Sequence, residues 1–375
     1  MSTRTILFLI SSLRFGGAER QTISLINRLP TPEFDIHLGH LAGDAHLLST
    51  VNPNLIGNVF CLEKRTSFDL RALRTLRRRI SEIRPDVVVC VNPYPAIYAH
   101  AVRQTLRERF AIVQIMHSTL MTNLKYELSA RWLYRPLINR SERVIFVSRN
   151  QMAHWQRTYG IDVRRATVIY NGIDTEHFQP SLGKNGRAKL RQQCGIGADQ
   201  IVITICAALR PEKKHLDFLA AIKILTNKGL PVKALIVGDG PEKAGIEQYL
   251  HDQGMANRTH ITGFQPDVRP YLDISDIVVL SSETETFSVA VLEALSMGKP
   301  VVAPRVGGIP EQVFPGENGK MYPVGDVRAM ADCIHEILNA NCCREMAGDI
   351  RRMVRERFSV ERMAAAYHDV LTEVA

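Results

Sequence analysis

At 375 residues, with 45% hydrophobic and 23% charged positions, the chain is too long for one ordinary core and has the composition of a globular protein of two domains. No apolar run approaches the roughly 20 residues that cross a bilayer. Seven scattered cysteines without a C-x-x-C pair point to reduced, cytosolic usage without structural zinc, and the adjacent Cys342 and Cys343 are not expected to bridge each other. The net charge of +9 is lopsided: residues 1–180 hold 24 Lys and Arg against 14 Asp and Glu, and the remainder 23 against 24. The first half is therefore the one suited to an anionic partner such as a membrane surface or a lipid-linked phosphate.

Taken in order, the chain alternates strand and helix. Residues 5–10 form a short apolar strand, too soon interrupted by Ser11-Ser12 to be a secretory leader. The loop Phe15-Gly16-Gly17-Ala18-Glu19 then opens a helix at 18–29. Glycines there let the backbone approach a ligand, and a helix start favours an anion, although no G-x-G-x-x-G fingerprint occurs. A strand at 34–41 follows. In the helix at 70–83, Leu70, Leu73, Leu76, Ile80 and Ile83 recur at three- and four-residue spacing, while Arg71, Arg74, Arg77, Arg78 and Arg79 take the other face. Pro85 stops it. Strands are expected at 86–91, 111–115 and 143–147, and His117 lies at the carboxyl end of the second, where ligands bind in α/β sheets. Asn171-Gly172-Ile173-Asp174 reads as a turn and hinge. The aperiodic stretch 179–186 has loop composition, so domains are expected at 1–180 and 187–356, with 357–375 as a final helix.

The second half repeats the alternation, with strands expected at 201–207, 234–237, 260–262, 277–280 and 301–303. After the first comes Leu209-Arg210-Pro211-Glu212-Lys213-Lys214, in which Arg210 and Lys213 suit a diphosphate. Gly238-Asp239-Gly240-Pro241 is a turn, and Thr262-Gly263-Phe264 ends a strand with an aromatic that reads equally well as core or as a ligand neighbour. Glu285-Thr286-Phe287-Ser288 occupies the next loop, and Glu293 falls near the middle of the following helix. The start of that helix, with the amides of Ser288 and Val289 and the hydroxyls of Thr286 and Ser288, suits phosphate. Two carboxylates beside phosphate would repel it, so Glu285 and Glu293 suit a ligand that also offers hydroxyls, such as a sugar and a ribose. Strand–helix alternation implies α/β architecture, two Rossmann-like halves each with a parallel sheet covered on both faces.

The ordered block from Glu285 and Glu293 through Gly307-Gly308-Ile309-Pro310-Glu311 to Gly316 and Asn318-Gly319 resembles the signature of retaining glycosyltransferases of the GT-B fold, specifically glycosyltransferase family 4. The likeness extends over nearly the whole chain. It implies two Rossmann-like domains facing across a cleft, the first binding acceptor and the second binding donor, with the last helix crossing back to the first domain. It implies transfer of a hexose or N-acetylhexosamine, with retention, from a UDP- or GDP-sugar to a glycan or lipid-linked glycan, in cell-surface polysaccharide or lipopolysaccharide synthesis. In the resembling enzymes Glu285 would hold sugar hydroxyls, Glu293 the ribose, and Lys213 with Arg210 the departing diphosphate. His117 would contact the donor sugar, Gly16 and Gly17 the diphosphate, and Phe264 the nucleobase region, while Gly238, Asp239 and Gly240 shape the nucleotide site. Two departures stand out: Ala208 falls where the family has Arg, and Glu285-Thr286-Phe287-Ser288 replaces E-G-F-G. No D-x-D sequence occurs, so neither metal nor cofactor is expected, the nucleotide sugar being a substrate. The basic first half suggests a cytoplasmic enzyme resting on the inner membrane face, without nucleic acid. A nucleotide-sugar epimerase of the same fold and a non-catalytic nucleotide-sugar-binding scaffold are the alternatives.

Overall fold

The computed structural model describes residues 3–29, 32–66, 68–106, 109–118, 124–339 and 346–375, the side chains of 124–126 excepted; Cys342 and Cys343 lie outside these. The chain divides into two units, residues 1–172 with 360–375, and residues 173–359. Among the described residues the first unit holds seven strands: β1 (Arg4–Ile10), β2 (Phe34–His40), β3 (Val59–Cys61), β4 (Val87–Val91), β5 (Ala111–Met116), β6 (Arg143–Phe146) and β7 (Ala166–Val168). They form one parallel sheet in the order β3-β2-β1-β4-β5-β6-β7. The second holds β8 (Ile201–Cys206), β9 (Val232–Val237), β10 (Thr259–Ile261), β11 (Ile277–Val279), β12 (Val301–Pro304) and β13 (Gly319–Tyr322), parallel in the order β10-β9-β8-β11-β12-β13.

Runs such as Val87-Val88-Val89-Cys90-Val91 are apolar throughout because both faces of a parallel sheet are covered. In β1, Ile6, Phe8 and Ile10 join one core with residues of the helices Gly17–Ile26 and Val360–Val374, while Leu7 and Leu9 join another with the helices Leu70–Ile83 and Pro93–Arg103. Each sheet reverses its strand order once, between β1 and β4 in the first unit and between β8 and β11 in the second. At such a switch point the loops leaving the two central strands diverge and leave room for a ligand.

Three short edge strands, β3, β7 and β13, were not expected, since three or four residues at a sheet edge carry no long apolar run. The 179–186 stretch is not the division: it belongs to the second unit, where the buried Asp273 carboxylate accepts the N–H groups of Ser181 (3.2 Å) and Leu182 (2.8 Å) and pairs with Arg187. The chain crosses at Gly172–Ile173 and returns at Ser359–Val360, and Ile173 bridges Ser359. Extended backbone at Ser359 separates the helix Ala347–Phe358 from Val360–Val374, so the final segment is split between the units. Among the described residues five cysteines are free, and no helix is long and apolar enough to cross a membrane.

Candidate functional site

The second unit assembles its site at the β8/β11 reversal. The loop after β8 is fixed by backbone contact: Leu209 N–H donates to Asp239 C=O (3.0 Å) and Glu242 N–H to Leu209 C=O (3.0 Å). A Cβ on Gly238 would fall 1.9 Å from the Ala207 carbonyl oxygen, and one on Gly240 2.5 Å from that of Leu209. Both positions therefore need glycine, because a neighbouring loop passes against them. The G-D-G turn sets the height of that loop, with Asp239 exposed at its tip.

Lys213 ends a single 3-10 turn, Pro211–Lys213, and the chain then turns through Lys214 at φ +48. Two bonds and an ion pair hold this turn to the loop after β11: Ser281 Oγ donates to Lys213 C=O (2.6 Å), Glu283 N–H to Glu212 C=O (2.9 Å), and Lys214 pairs with Glu283 at 2.9 Å. Lys213 Nζ stands 2.7 Å from Glu285 Oε1, which also accepts from Ser282 Oγ at 2.8 Å. The Glu285 side chain is only 11% exposed. Behind it, Gly307 at φ +52 passes so close that a Cβ there would lie 1.5 Å from the Glu285 carbonyl oxygen.

The rest of this loop is held by the protein itself. Phe287 is buried, its ring 5.8 Å from that of Phe358, so it anchors the loop and offers no face to a ligand. The Ser288 N–H is already taken: it donates to Gln312 Oε1 (2.8 Å), and Gln312 Nε2 donates back to Ser288 C=O (2.8 Å). The helix Val289–Ser296 starts without a side-chain cap, which leaves the N–H groups of Val289 and Ala290 without partners among the described residues. Thr286 is half-buried beside them. Glu293 lies in this helix, 4% exposed, near Cys206 at the end of β8; burial and then the Glu293 charge push that thiol's pKa up.

Around this pair the remaining residues differ in kind. Phe264 is 54% exposed at the turn beyond β10, which removes the core-packing account of it. Arg210 and Ala208 are exposed, and the Arg210 side chain has no partner among the described residues. Sequence reasoning missed Gln312, Ser281, Ser282 and His215. Gln312 directly follows the G-G-I-P-E run, yet no spacing rule marks a buried amide that clamps a loop 24 positions upstream. His215 is buried, neither ring nitrogen has a partner among the described residues, and burial, then Lys213, lowers its pKa to about 4.

In the first unit, Gly16 precedes and Gly17 begins the helix Gly17–Ile26. A Cβ on Gly16 would lie 2.3 Å from Glu19 Oε2, so the Glu19 carboxylate folds back over a helix start expected to receive an anion. Burial raises the Glu19 pKa, opposed by its own N–H. His117 donates its N–H to Asn92 Oδ1 (2.9 Å), and burial lowers its pKa to about 4, so the ring is neutral near pH 7. At the carboxyl ends of β1 and β2 a cavity of about 280 Å³ is lined by Ser11, Ser12, Arg14, Leu41, Ala42, Lys64 and Tyr94. Lys64 Nζ sits 5.0 Å over the Tyr94 ring, and Arg14 pairs with Asp44. On the Leu70–Ile83 helix, Arg78 and Arg79 pair with Glu82 (3.7 and 3.0 Å), while Arg71, Arg74 and Arg77 are exposed. Among the described residues no three His, Cys, Asp or Glu side chains gather as a metal site.

Residues 15–177 match the family Glycosyltransferase Family 4, and residues 200–340 match Glycosyl transferases group 1. The N-acetyl-alpha-D-glucosaminyl L-malate synthase of Bacillus anthracis is 31% identical over 283 residues, 74% of this chain and 72% of the relative. The UDP-Gal:alpha-D-GlcNAc-diphosphoundecaprenol alpha-1,3-galactosyltransferase of Escherichia coli is 23% identical across 96% of this chain and 94% of its own. Anabaena HepE, solved in complex with UDP, superposes with a TM-score of 0.86 at 24% identity, over 98% of this chain and 100% of HepE, a likeness that fixes the fold. Two parallel-sheet Rossmann-like units, family matches to both and a close relative over most of its length place the chain in glycosyltransferase family 4, as a sugar transferase of the GT-B fold.

Proposed function

We propose that the chain is a retaining, metal-independent glycosyltransferase that takes a UDP-linked hexose or N-acetylhexosamine and delivers it to an acceptor bearing a phosphate or carboxylate, with a lipid-linked diphosphate as the preferred class. The carrying observation is the Lys213–Glu285 pair, 2.7 Å apart on two loops joined at the sheet reversal beside an uncapped helix start. Lys213, Arg210 and the N–H groups of Val289 and Ala290 take the charge that develops on the departing diphosphate. Such preorganised stabilisation is usually the largest catalytic contribution. Glu285 binds sugar hydroxyls and supports positive charge at the anomeric carbon, Glu293 takes the ribose hydroxyls, and the exposed Phe264 stacks on the base. With the leaving group and the acceptor on one face of the sugar, a diphosphate oxygen takes the acceptor's proton, and no separate base is required.

Support for the donor base comes from HepE, solved with UDP and with UDP-glucose, and from the E. coli relative named for UDP-Gal. Support for an anionic acceptor comes from the Lys64–Tyr94 cavity and from relatives named for malate, inositol 3-phosphate and diphosphoundecaprenol. An epimerase or a scaffold is disfavoured, because relatives over most of this chain are named as a synthase and a transferase. Wild type and Glu285→Gln would be incubated with UDP- and GDP-sugars, with and without EDTA, and slow nucleotide release measured. One sugar nucleotide consumed by wild type alone, insensitive to EDTA, is the expected result. An epimerised donor, or release that Glu285→Gln leaves intact, sinks the reading; anomeric analysis of the transfer product tests retention separately.

A further inference from the structure

Eleven large apolar side chains are exposed among the described residues, and three of them fall within six positions of the first unit: Leu128 (51%), Trp132 (75%, the most exposed of all) and Leu133 (43%). They belong to a continuous helical run made of Leu124–Ser129, a π turn at Ala130–Tyr134 and Arg135–Arg140. Its inner side is ordinary: Ala130, Tyr134 and Ile138, at four-residue spacing, join a core with Met116, Val144, Phe146 and Trp155. The outer side is not. Leu128 and Trp132 are also four apart and share one face, the exposed Arg131 and Arg135 flank them, and Glu127 is the one acidic side chain described beside them. Trp132 has no ring or hydrogen-bond partner among the described residues, whereas Arg135 Nε donates to Gly160 C=O at 3.2 Å.

We propose that Leu128, Trp132 and Leu133 seat the first unit in the headgroup layer of an anionic membrane, with Arg131 and Arg135 on lipid phosphates. A Trp among leucines with an arginine rim matches that layer, which accepts an apolar body with a polar tip. Three side chains on one helix are too few for a stable protein interface, which takes about 800 Å² from each partner. The charge agrees: residues 1–180 hold 24 basic against 14 acidic side chains. The neighbourhood agrees too. The helices Leu70–Ile83, Pro93–Arg103 and Arg135–Arg140 touch in that order, so the exposed Arg71, Arg74 and Arg77, with Phe68 and Leu70 at that helix's start, belong to the same side of the sheet. A lipid-linked acceptor would be met there, and only in that respect does the inference rest on the proposed function.

The chain has two tryptophans, and Trp155 is fully buried, so a change in emission on adding lipid reports Trp132. Full-length protein would be mixed with phosphatidylcholine vesicles, with and without phosphatidylglycerol. The expected result is a blue shift and loss of acrylamide quenching with the anionic vesicles only, reversed by salt. Leu128→Ser/Leu133→Ser should weaken cosedimentation about ten-fold or more with an unchanged circular dichroism spectrum. Any of four outcomes overturns the proposal: no cosedimentation; cosedimentation with Trp132 still quenchable; binding lost in Arg71→Glu/Arg74→Glu but kept in Leu128→Ser/Leu133→Ser; or a blue shift that tracks protein concentration without lipid, which marks self-association. No turnover is measured, so failure here leaves the donor-site reading standing.

Discussion

Gln312→Met removes one side-chain amide and keeps a long, unbranched side chain in the same buried space. Gln312 is fully buried, and Ser288, whose N–H and C=O it clamps through two 2.8 Å bonds, is buried as well. Each buried backbone group left unpaired costs about 1–3 kcal/mol, so the native loop loses about 2–6 kcal/mol relative to a relaxed one. The lower part of that range is the better estimate, because Ser288 C=O keeps a long 3.5 Å bond from Leu292 N–H. A whole domain is stable by only about 5–15 kcal/mol, but relief is available locally, by Ser288 moving until water reaches it. Ser288 precedes the first turn of the helix that presents the Val289 and Ala290 amides, and it follows Glu285 by three residues. Moving it therefore moves both ends of the proposed diphosphate and sugar contacts. A displacement of about 1 Å in a positioned group costs on the order of 100-fold in rate. Nucleotide release from the donor chosen by the panel should fall by about that factor, while Lys213 and Glu285 are chemically untouched. Thermal unfolding run in parallel separates loop relaxation from loss of fold. If Gln312→Met turns over within about 3-fold of wild type, the clamp does not position the loop and the reasoning fails.

Three further outcomes are expected. Lys213→Ala should lower kcat by about 100- to 1,000-fold, as removal of one preorganised donor does, with Glu285→Gln comparably impaired; a change confined to KM would move Lys213 out of the chemistry. Gly307→Ala should lower the melting temperature and abolish turnover, since its Cβ would meet the Glu285 carbonyl at 1.5 Å and the residue holds φ +52; an active, equally stable variant would show that the approach relaxes freely. Acid should destabilise the protein through His100 and His215, whose buried rings have pKa values lowered to about 4. His100 faces Arg103, Arg140 and Glu142, and His215 faces Lys213. The unfolded chain protonates these imidazoles near pH 6.5 and the folded one only near 4, so stability is retained above 6.5 and falls between the two. Each ring contributes up to roughly 3 kcal/mol, measurable as a urea midpoint that drops through that window and recovers part of its value in His100→Gln.

The central strands were legible because burial on both faces writes them as continuous apolar runs; Val87–Val91 and Ile201–Cys206 needed no tertiary information. The Leu70–Ile83 helix was equally plain, since its buried Leu76 and Ile80 alternate with arginines at helical spacing. The unit boundary was misplaced because Gly, Ser and Pro at 179–186 read as a linker, whereas what fixes that stretch is a carboxylate at Asp273, about ninety residues away in sequence. In the site, Lys213 and Glu285 could each be suspected from its loop, but their 2.7 Å contact follows from the β8/β11 adjacency, which is a property of sheet order. The Gly238 and Gly240 turn was expected to shape the nucleotide site, but that it does so by packing against the backbone of the loop after β8 follows from the contact and not from the glycines alone.

The replacement of both family glycines in Glu285-Thr286-Phe287-Ser288 is the feature that most suggests a decayed site, and the structure argues the other way. Ser288 sits at φ −78, a region open to every L-residue, so this position does not need glycine for its backbone angle. What glycine would leave free is instead held: Phe287 is anchored beside Phe358, Ser288 is gripped by Gln312, and Gln312 is steadied by Asn318 Nδ2, which donates to its backbone carbonyl at 2.9 Å. Decay relaxes constraints on a loop, whereas this loop is held on both sides around a Glu285 that pairs with Lys213. The stiffness also moves the entropy cost of ordering the donor site from binding into folding. A chain built this way should bind its nucleotide sugar with little loop rearrangement, so in hydrogen exchange the unpartnered Val289 and Ala290 amides slow only when donor binds, whereas exchange at the Ser288 N–H, held by Gln312, should already be slow without donor and change little on adding it. Fast exchange at Ser288 that collapses on donor binding would restore the picture of a flexible, glycine-like loop.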